Sequence, residues 1–491
     1  MRNAILTMFT ILSGRWKRKN SYLFSKKVTP KTFKSLLGFL LVTFLSPERK
    51  VITVLAVVVL LFLPSLAQAR QPDLTIFFSS DTRGMLRRCG CSQGQLGGLS
   101  ARATYIKANS PKGRTLVLDA GDILFNDPKQ KESWADFYEI KARTMLKAME
   151  VSGYAAAVPG EYDFAFGAEF LKDAARDTDF PFVAANVSYR CVPVFRPYVI
   201  KKVGNLKVAI IGVLDDAFPY KNFQAYDGLT VSDAREAAER SIRTIGDKAD
   251  LRIVLAHLSI TDPAKFAESV SGADIVVQGH SDEILDAPVK AGGALLVKGF
   301  YKGKQIGRLD IWLSGRKGGK RVADYKYQVV QLDESIPFNP QVEGLLAKYR
   351  EKLKEKNFSF NAPDPEGKGS FVGARACRGC HEKSFSNWSA TKHAHAFSDL
   401  VKTGDQYDPE CLPCHTTGYG FASGYPAGGR RMKNTACEDC HGRGSLHAAG
   451  KAGMDKVVKE GVCASCHDEY DSPNFDFEKY KAMGGAHRGG E

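Results

Sequence analysis

The sequence predicts a large α/β fold followed by a much smaller cysteine-rich domain. Three observations carry that prediction. The chain has 491 residues, too many for one ordinary domain. From residue 73 onward, short apolar runs alternate with amphipathic helical patterns. In the last quarter, eight of the eleven cysteines fall into four C-x-x-C-H motifs. Hydrophobic residues make up 44% and charged residues 25%, which excludes wholesale disorder and a multi-span membrane protein.

The N-terminal segment is predicted to be an export signal. Val51–Leu63 is apolar, Arg49 and Lys50 precede it, and Ala67-Gln68-Ala69 supplies small residues for cleavage. The run is short for a membrane span, so a membrane role would require an uncleaved signal. The expected location is the periplasm, with cleavage near Ala69. Residues 1–69 also hold eleven Lys/Arg against the single acid Glu48. The formal charge of +15 therefore leaves only about +5 for the remaining chain, which argues against a nucleic-acid partner.

Residues 70–335 form the predicted α/β domain. Its strand candidates are Leu74–Phe78, Thr115–Leu118, Tyr154–Val158, Phe182–Ala185, Val208–Val213, Arg252–Ala256, Asp274–Val277 and Leu295–Val297. Helical patterns occupy Ser133–Val151 and Asp233–Ile245. Polar groups follow five of these runs: Asp81; Asp119 and Asp122; Glu161; His257; His280 and Asp282. One such residue is usually a cap or a turn, but five strands ending this way point to a site at the carboxyl ends of the strands.

These motifs resemble the calcineurin-like metallophosphoesterases, specifically their 5'-nucleotidase branch. Leu118-Asp-Ala-Gly-Asp122 matches D-x-G-D, Leu255-Ala-His257 matches the second-metal His strand, and Gly279-His280-Ser-Asp282 matches G-H-x-H. Pro159-Gly-Glu161-Tyr162-Asp163-Phe164 stands where the family has G-N-H-E-F, and Asp81-Thr-Arg83-Gly84 where it has D-x-H-G. The resemblance implies a sandwich of two sheets flanked by helices and a metal site on Asp81, Asp122, Glu161, His257, His280 and Asp282. It implies one or two divalent metals, with this oxygen-rich set favouring Mn, Fe or Mg over Zn. It places Tyr162, Asp163 and Arg83 in catalytic positions. Three departures stand out: Arg83 for His, Glu161-Tyr162 for Asn-His, and Asp282 for the last His. The substrate class implied is a small phosphate or sulfur ester. Retention of hydrolysis and a retired scaffold are both compatible with the departures.

Val342, Leu345, Leu346, Tyr349 and Leu353 predict an amphipathic helix over Gln341–Lys356, and Ser359–Ser370 reads as a linker. Together residues 336–370 join the two domains. Gly315–Arg321 reads as a basic hairpin turn. Of the three other cysteines, Cys89 and Cys91 could form a redox or soft-ligand pair, or one of them could bridge to Cys191.

The C-terminal motifs are Cys377–His381, Cys411–His415, Cys437–His441 and Cys463–His467. In each, two thiols three positions apart can form thioethers to a haem, and the adjacent His can bind its iron. Zinc ribbons would not need a His after every second Cys. Four c-type haems are therefore expected, attached at Cys377, Cys380, Cys411, Cys414, Cys437, Cys440, Cys463 and Cys466. The proximal ligands would be His381, His415, His441 and His467. Candidates for the opposite positions are His393, His395, His447 and His487. The order of these motifs, with Trp388 and the Ser389–His395 stretch, resembles the tetrahaem cytochrome c-554 family over residues 371–491. That resemblance implies a mostly α and loop multihaem cytochrome c domain, with His447 binding a haem other than the one on His441. A redox partner protein would then be needed.

Overall fold

The computed structural model describes residues 70–89, 95–179, 181–259, 262–280, 285–315, 319–468, 472 and 474–482. The predicted export signal, Cys91, Asp282 and His487 lie outside them, as does the side chain of Cys89. The chain divides into two units, 1–71 and 72–491, and all that follows concerns the second. Among the described residues no helix is long and apolar enough to cross a membrane.

Two mixed sheets form the larger part. In the first, β1 (Leu74–Ser79) runs parallel to β2 (Thr115–Asp119), and β2 runs parallel to β3 (Ala156–Ala157). The second is built on β4 (Tyr198–Val203), β5 (Leu206–Leu214), β6 (Leu251–His257), β7 (Ile275–Gly279), β8 (Val289–Ala291) and β9 (Ala294–Lys298). Its order is β8-β9-β7-β6-β5-β4, with β5, β6, β7 and β9 parallel. The hairpin of β10 (Gln305–Ser314) and β11 (Arg321–Gln331) returns to the first sheet and pairs antiparallel with β1. The strands flanking the predicted turn pair with each other, Ser314 opposite Arg321, and residues 316–318 of the turn lie outside the described residues.

Strand alternation explains the layers. Val208 and Ile210 of β5 point into one core shared with Ile76 and Leu118 of the first sheet. Ala209, Ile211 and Val213 point to the other face. There α4 (Ala234–Ile245) and α5 (Pro263–Ser269) cover them through Ala237, Ala238 and Ala267. Helices α1 (Leu99–Asn109), α2 (Ala135–Val151), α3 (Gly167–Arg176) and α6 (Pro340–Lys356) bury their apolar sides in the first core. Asn339 starts α6 cleanly: its side chain accepts from the backbone N–H groups of Gln341 and Val342, and Pro340 fills the first turn.

One strand expectation fails. Phe182–Ala185 contributes only isolated bridges, at Phe182 and Val183. Its apolar side chains are buried, but the segment follows Pro181 and makes no continuous ladder. The sequence reading also passed over β4, β8, β10 and β11. In β11 the exposed and half-buried positions outnumber buried ones, so no apolar run marks it.

The C-terminal part is short helices and turns with little apolar core of its own. Its described buried cluster is Phe397, Leu400 and Leu412. It is tied to the larger part through Asp405–Cys411. Arg87 pairs with Asp405 and Asp408, Arg350 of α6 with Asp405, and Lys141 of α2 with Glu410. The linker adds Phe360, stacked on Trp134 with ring centroids 4.4 Å apart.

Candidate metal centre and haem-binding segments

The parallel strands of both sheets deliver their carboxyl ends to one place. Asp122 follows β2, Glu161 follows β3, His257 ends β6 and His280 follows β7. One ligand atom from each of these four lies within 4.8 Å of the others. Asp122, Glu161 and His257 are wholly buried, and the His280 side chain is 21% exposed. Tight turns permit this approach. Asp122 sits at φ 52°, and a Cβ on Gly160 would fall 2.1 Å from Asp122 Oδ1.

The four residues meet donor atom to donor atom. His257 Nε2 is 2.9 Å from Glu161 Oε2, and His280 Nδ1 is 2.5 Å from Glu161 Oε1. Yet His257 Nε2, His280 Nδ1, both Glu161 oxygens and Asp122 Oδ2 have no hydrogen-bond partner. The other nitrogen of His257, Nδ1, lies 2.6 Å from the Ala120 carbonyl, to which it donates. That bond fixes the tautomer whose Nε2 lone pair faces the carboxylates. Buried nitrogen and carboxylate oxygen atoms converging this closely fit a cation. The charge balance agrees. Although burial opposes ionisation, the imidazoles of His257 and His280 hold Glu161 well below the usual carboxylate range. Burial, then the Glu161 charge, pushes Asp122 up to about 6. Against the cost of burial, Glu161 draws both histidines toward positive charge. A divalent ion would supply that charge. Among the described residues, these two imidazoles and two carboxylates suit a divalent metal.

Asp81 stands beside this cluster and is occupied by protein donors. Its Oδ2 accepts from Ser80 Oγ at 2.7 Å and from the His280 backbone N–H at 3.0 Å. Its Oδ1 accepts from Arg83 Nη2 at 3.1 Å. Arg83 Nε also lies 3.9 Å from Asp122 Oδ2. The guanidinium is sandwiched between the rings of Tyr162 and Tyr301, 5.0 and 4.5 Å from their centroids. Arg83 thus neutralises carboxylates on one flank of the cluster.

Burial, then the charge of Asp122, pushes Tyr162 up to about 12, so it keeps its proton at neutral pH. Asp163 turns away from the cluster. It accepts from the backbone N–H groups of Ile123, Leu124 and Gly160 at 2.7–2.9 Å. It clamps the Asp122 turn to the Glu161 turn, so the structure gives it a positioning place instead of a reacting one. Burial, then Asp122, pushes its carboxyl up to about 8. Tyr301 was missed by sequence reading, although it too follows a strand, β9, and the same rule of polar groups after strand ends would have reached it.

In the C-terminal part each C-x-x-C-H motif forms a helical turn. His381 N–H bonds to the Cys377 carbonyl at 2.9 Å and His467 N–H to the Cys463 carbonyl at 2.8 Å. Cys437–His441 is a helix, as is Leu412–His415. Such turns place both thiols and the imidazole on one side. Thiols of the first and third motifs come within hydrogen-bond reach, Cys377 with Cys437, as do Cys414 and Cys466 of the second and fourth. His415 and His441 each set Nδ1 2.6 Å from a backbone carbonyl, of Ala396 and Asp455, leaving Nε2 for a metal.

Two distal histidines face proximal ones. The rings of His381 and His447 are 6.1 Å apart, and those of His393 and His467 are 5.9 Å apart. Two metal–imidazole bonds of about 2 Å, each with about 1 Å to the ring centre, need roughly that separation. His447 therefore faces the first motif and not the third. His395 is held to the Ser389 carbonyl by Nε2 at 3.1 Å and does not share the position of His393. Among the described cysteines outside the motifs, Cys191 is free and exposed.

Comparison with known proteins agrees with both halves. Residues 376–442, which contain the first three motifs, match the family model for cytochrome c554 and c-prime. The chain is 27% identical over 323 residues to the snake venom 5'-nucleotidase of Naja atra, covering 58% of each chain. It is 26% identical over 320 residues to the 5'-nucleotidase of Bos taurus, covering 58% of this chain and 54% of that one. It thus spans little more than half the length of these relatives. Among solved structures, the sulfate thiohydrolase SoxB of Thermus thermophilus superposes with TM-score 0.50 at 17% identity, over 64% of this chain and 68% of that one. The calcineurin-like phosphoesterase YfkN of Bacillus subtilis superposes with TM-score 0.50 at 22% identity, over 58% of this chain and 99% of that one. These likenesses place the N-terminal part in the 5'-nucleotidase type of metallophosphoesterase fold.

Proposed function

Starting from a chain that joins a 5'-nucleotidase-like metallophosphoesterase domain to a cytochrome c554-type segment, we propose that the protein is an exported electron-transfer cytochrome. It carries four c-type haems, one on each C-x-x-C-H motif, and works in the periplasm with a redox partner protein. The observation that supports this most is the facing of His381 with His447 and of His393 with His467 at about 6 Å. Paired imidazoles hold iron without an open position and suit outer-sphere electron transfer. The test is a haem count on the purified mature protein, joined to its electron paramagnetic resonance spectrum. Four haems per chain with low-spin signals are expected. Fewer than four haems, or wholly high-spin iron, would defeat the reading.

A second reading is favoured by the four unpartnered donors on Asp122, Glu161, His257 and His280. In it, a divalent metal there promotes hydrolysis of a small phosphate or sulfur ester. A metal bound by these residues would activate water and stabilise charge on the attacked ester. Arg83 would neutralise negative charge beside it, and Asp163 would keep the ligand turns in register. Tyr162, with its raised pKa, can donate a hydrogen bond but is a weak proton donor to a leaving group. The assay is manganese-dependent hydrolysis of nucleotides and a generic phosphodiester, with Asp122→Asn as control. Turnover lost in the control is the expected result. No turnover with any divalent metal would leave the domain as a binding scaffold.

A further inference from the structure

The metal cluster and the fourth haem motif are joined by a series of side-chain contacts completed by two steps between chain neighbours. His280 lies 6.4 Å, ring to ring, from Tyr162. Tyr162 and Tyr301 enclose the Arg83 guanidinium at 5.0 and 4.5 Å. Tyr301 is followed by Lys302, whose Nζ is 3.6 Å from Asp468 Oδ2. Asp468 directly follows His467, the iron ligand expected in the fourth motif. The series is anchored at its middle: the Lys302 N–H bonds to the Asp81 carbonyl at 2.6 Å.

Stability does not account for this connection. The Lys302–Asp468 pair has one partner 41% exposed, and pairs of that kind contribute little. The strong docking contacts lie elsewhere, at Arg87 and Lys141. Hydrolysis at the cluster would not require a haem nearby. The ligand set, in contrast, is one that holds iron or manganese, metals that change oxidation state by single electrons as haems do.

We propose that the cluster is an electron port for the haem chain, connected to the fourth haem through Tyr162, Arg83, Tyr301 and Lys302. The inference rests on the metal and haem reading above. The step is a one-electron exchange. Asp122, Glu161, His257 and His280 would hold an iron ion able to give up one electron, which the haem iron bound by His467 would accept, or the reverse. No bond between heavy atoms forms or breaks.

The experiment uses the full mature holoprotein under anaerobic conditions. Metal content and haem content are measured first. If either is missing, the reading of the sites fails and the proposal falls with it. Two preparations are then compared: oxidised haems with ferrous ion added, and reduced haems with ferric ion added. Zinc, which does not change oxidation state, is the control in each. One of the two iron preparations is expected to show a fast change in haem absorbance, whichever way the potentials lie, and zinc none. Tyr301→Leu should abolish the fast phase without loss of bound metal, and Tyr301→Phe should retain it. Exchange in neither direction, or exchange as fast in Asp122→Asn as in the parent, would overturn the proposal. So would a fast phase unchanged in both Tyr301→Leu and Lys302→Ala.

Discussion

Replacing Arg87 by alanine tests how the two halves of the chain are held together. The Arg87 side chain is 23% exposed, and those of its partners Asp405 and Asp408 are 8% and 4% exposed. Its Nη2 lies 2.9 Å from Asp408 Oδ2 and 3.5 Å from Cys411 Sγ, at the second haem motif. Breaking a buried ion pair from one side costs about 3–5 kcal/mol, because the remaining charge stays buried without its partner. Two neighbours soften the loss. Arg350 Nε still reaches Asp405 at 2.8 Å, and the Tyr349 hydroxyl still donates to Asp408 at 3.1 Å. The lower end of the range, about 3 kcal/mol, is therefore expected.

Residues 72–491 form one unit, for which the entropy of unfolding at the midpoint is about 0.9 kcal/mol/K. The expected fall in Tm is then about 3–4 °C, seen equally in haem absorbance and in far-ultraviolet circular dichroism. Were the C-terminal part to unfold alone, the same loss would lower the haem signal by more than about 10 °C. Adding Asp408→Asn to Arg87→Ala should recover much of the stability, since Asp405 keeps Arg350 and the carboxylate left without a cation is removed. A fall below about 1 °C in Arg87→Ala, or no recovery in the double variant, would refute the reasoning.

Asp163→Ala leaves three buried backbone N–H groups without an acceptor and should cost about 3–5 kcal/mol in chemical unfolding, with Asp163→Asn milder. Asp274 accepts from the Arg252 N–H, yet burial pushes its carboxyl up to about 6 from an ordinary 3.8. Its folded-state pKa is raised, so the stability it contributes is complete below about pH 4 and is lost as pH rises through about 6. Asp274→Asn should accordingly raise urea stability at pH 7–8 by up to about 2–3 kcal/mol, with the difference gone near pH 4. His447→Ala should turn one haem, that of the first motif, high-spin in paramagnetic resonance while leaving the haem count unchanged.

Much of the fold is legible in the sequence where burial is two-sided. β5, β6 and β7 lie between two apolar layers, so Val208–Val213, Arg252–Ala256 and Asp274–Val277 read as continuous apolar runs. β11 escapes the same reading because one face is exposed and the other, with Tyr325, Tyr327 and Val329, is only half-buried, and in β10 Arg308 and Asp310 interrupt the apolar run. At the site, the rule that functional groups follow strand ends finds Asp122, Glu161, His257 and His280 together. It cannot separate ligands from supports. Asp163 occupies an equally suggestive position, and only its hydrogen bonds show that backbone donors take both its oxygens, whereas Asp81 combines protein donors with a place beside the cluster. The haem motifs were legible because C-x-x-C-H is local, fixed within one helical turn. The pairing of His447 with the first motif depends on tertiary packing, which spacing does not encode.

The departures from the metallophosphoesterase pattern have a common direction. Arg83 and Tyr162 replace the two histidines that the resemblance would place on the flank of the cluster. Arg83 lies between the rings of Tyr162 and Tyr301, and Lys302, the residue after Tyr301, contacts the cytochrome part through Asp468. Arg87, a few residues further along the same loop, docks the segment before the second haem motif. Arg83 is paired to two buried carboxylates and held between two aromatic rings. Such an arrangement is costly unless every partner is present. The ligands on the other flank, His257 and Glu161, keep their burial, the imidazole orientation set by Ala120 and their unshared lone pairs. The two flanks thus differ: Arg83 and two tyrosines fill one, and the unshared lone pairs of the other fit a cation.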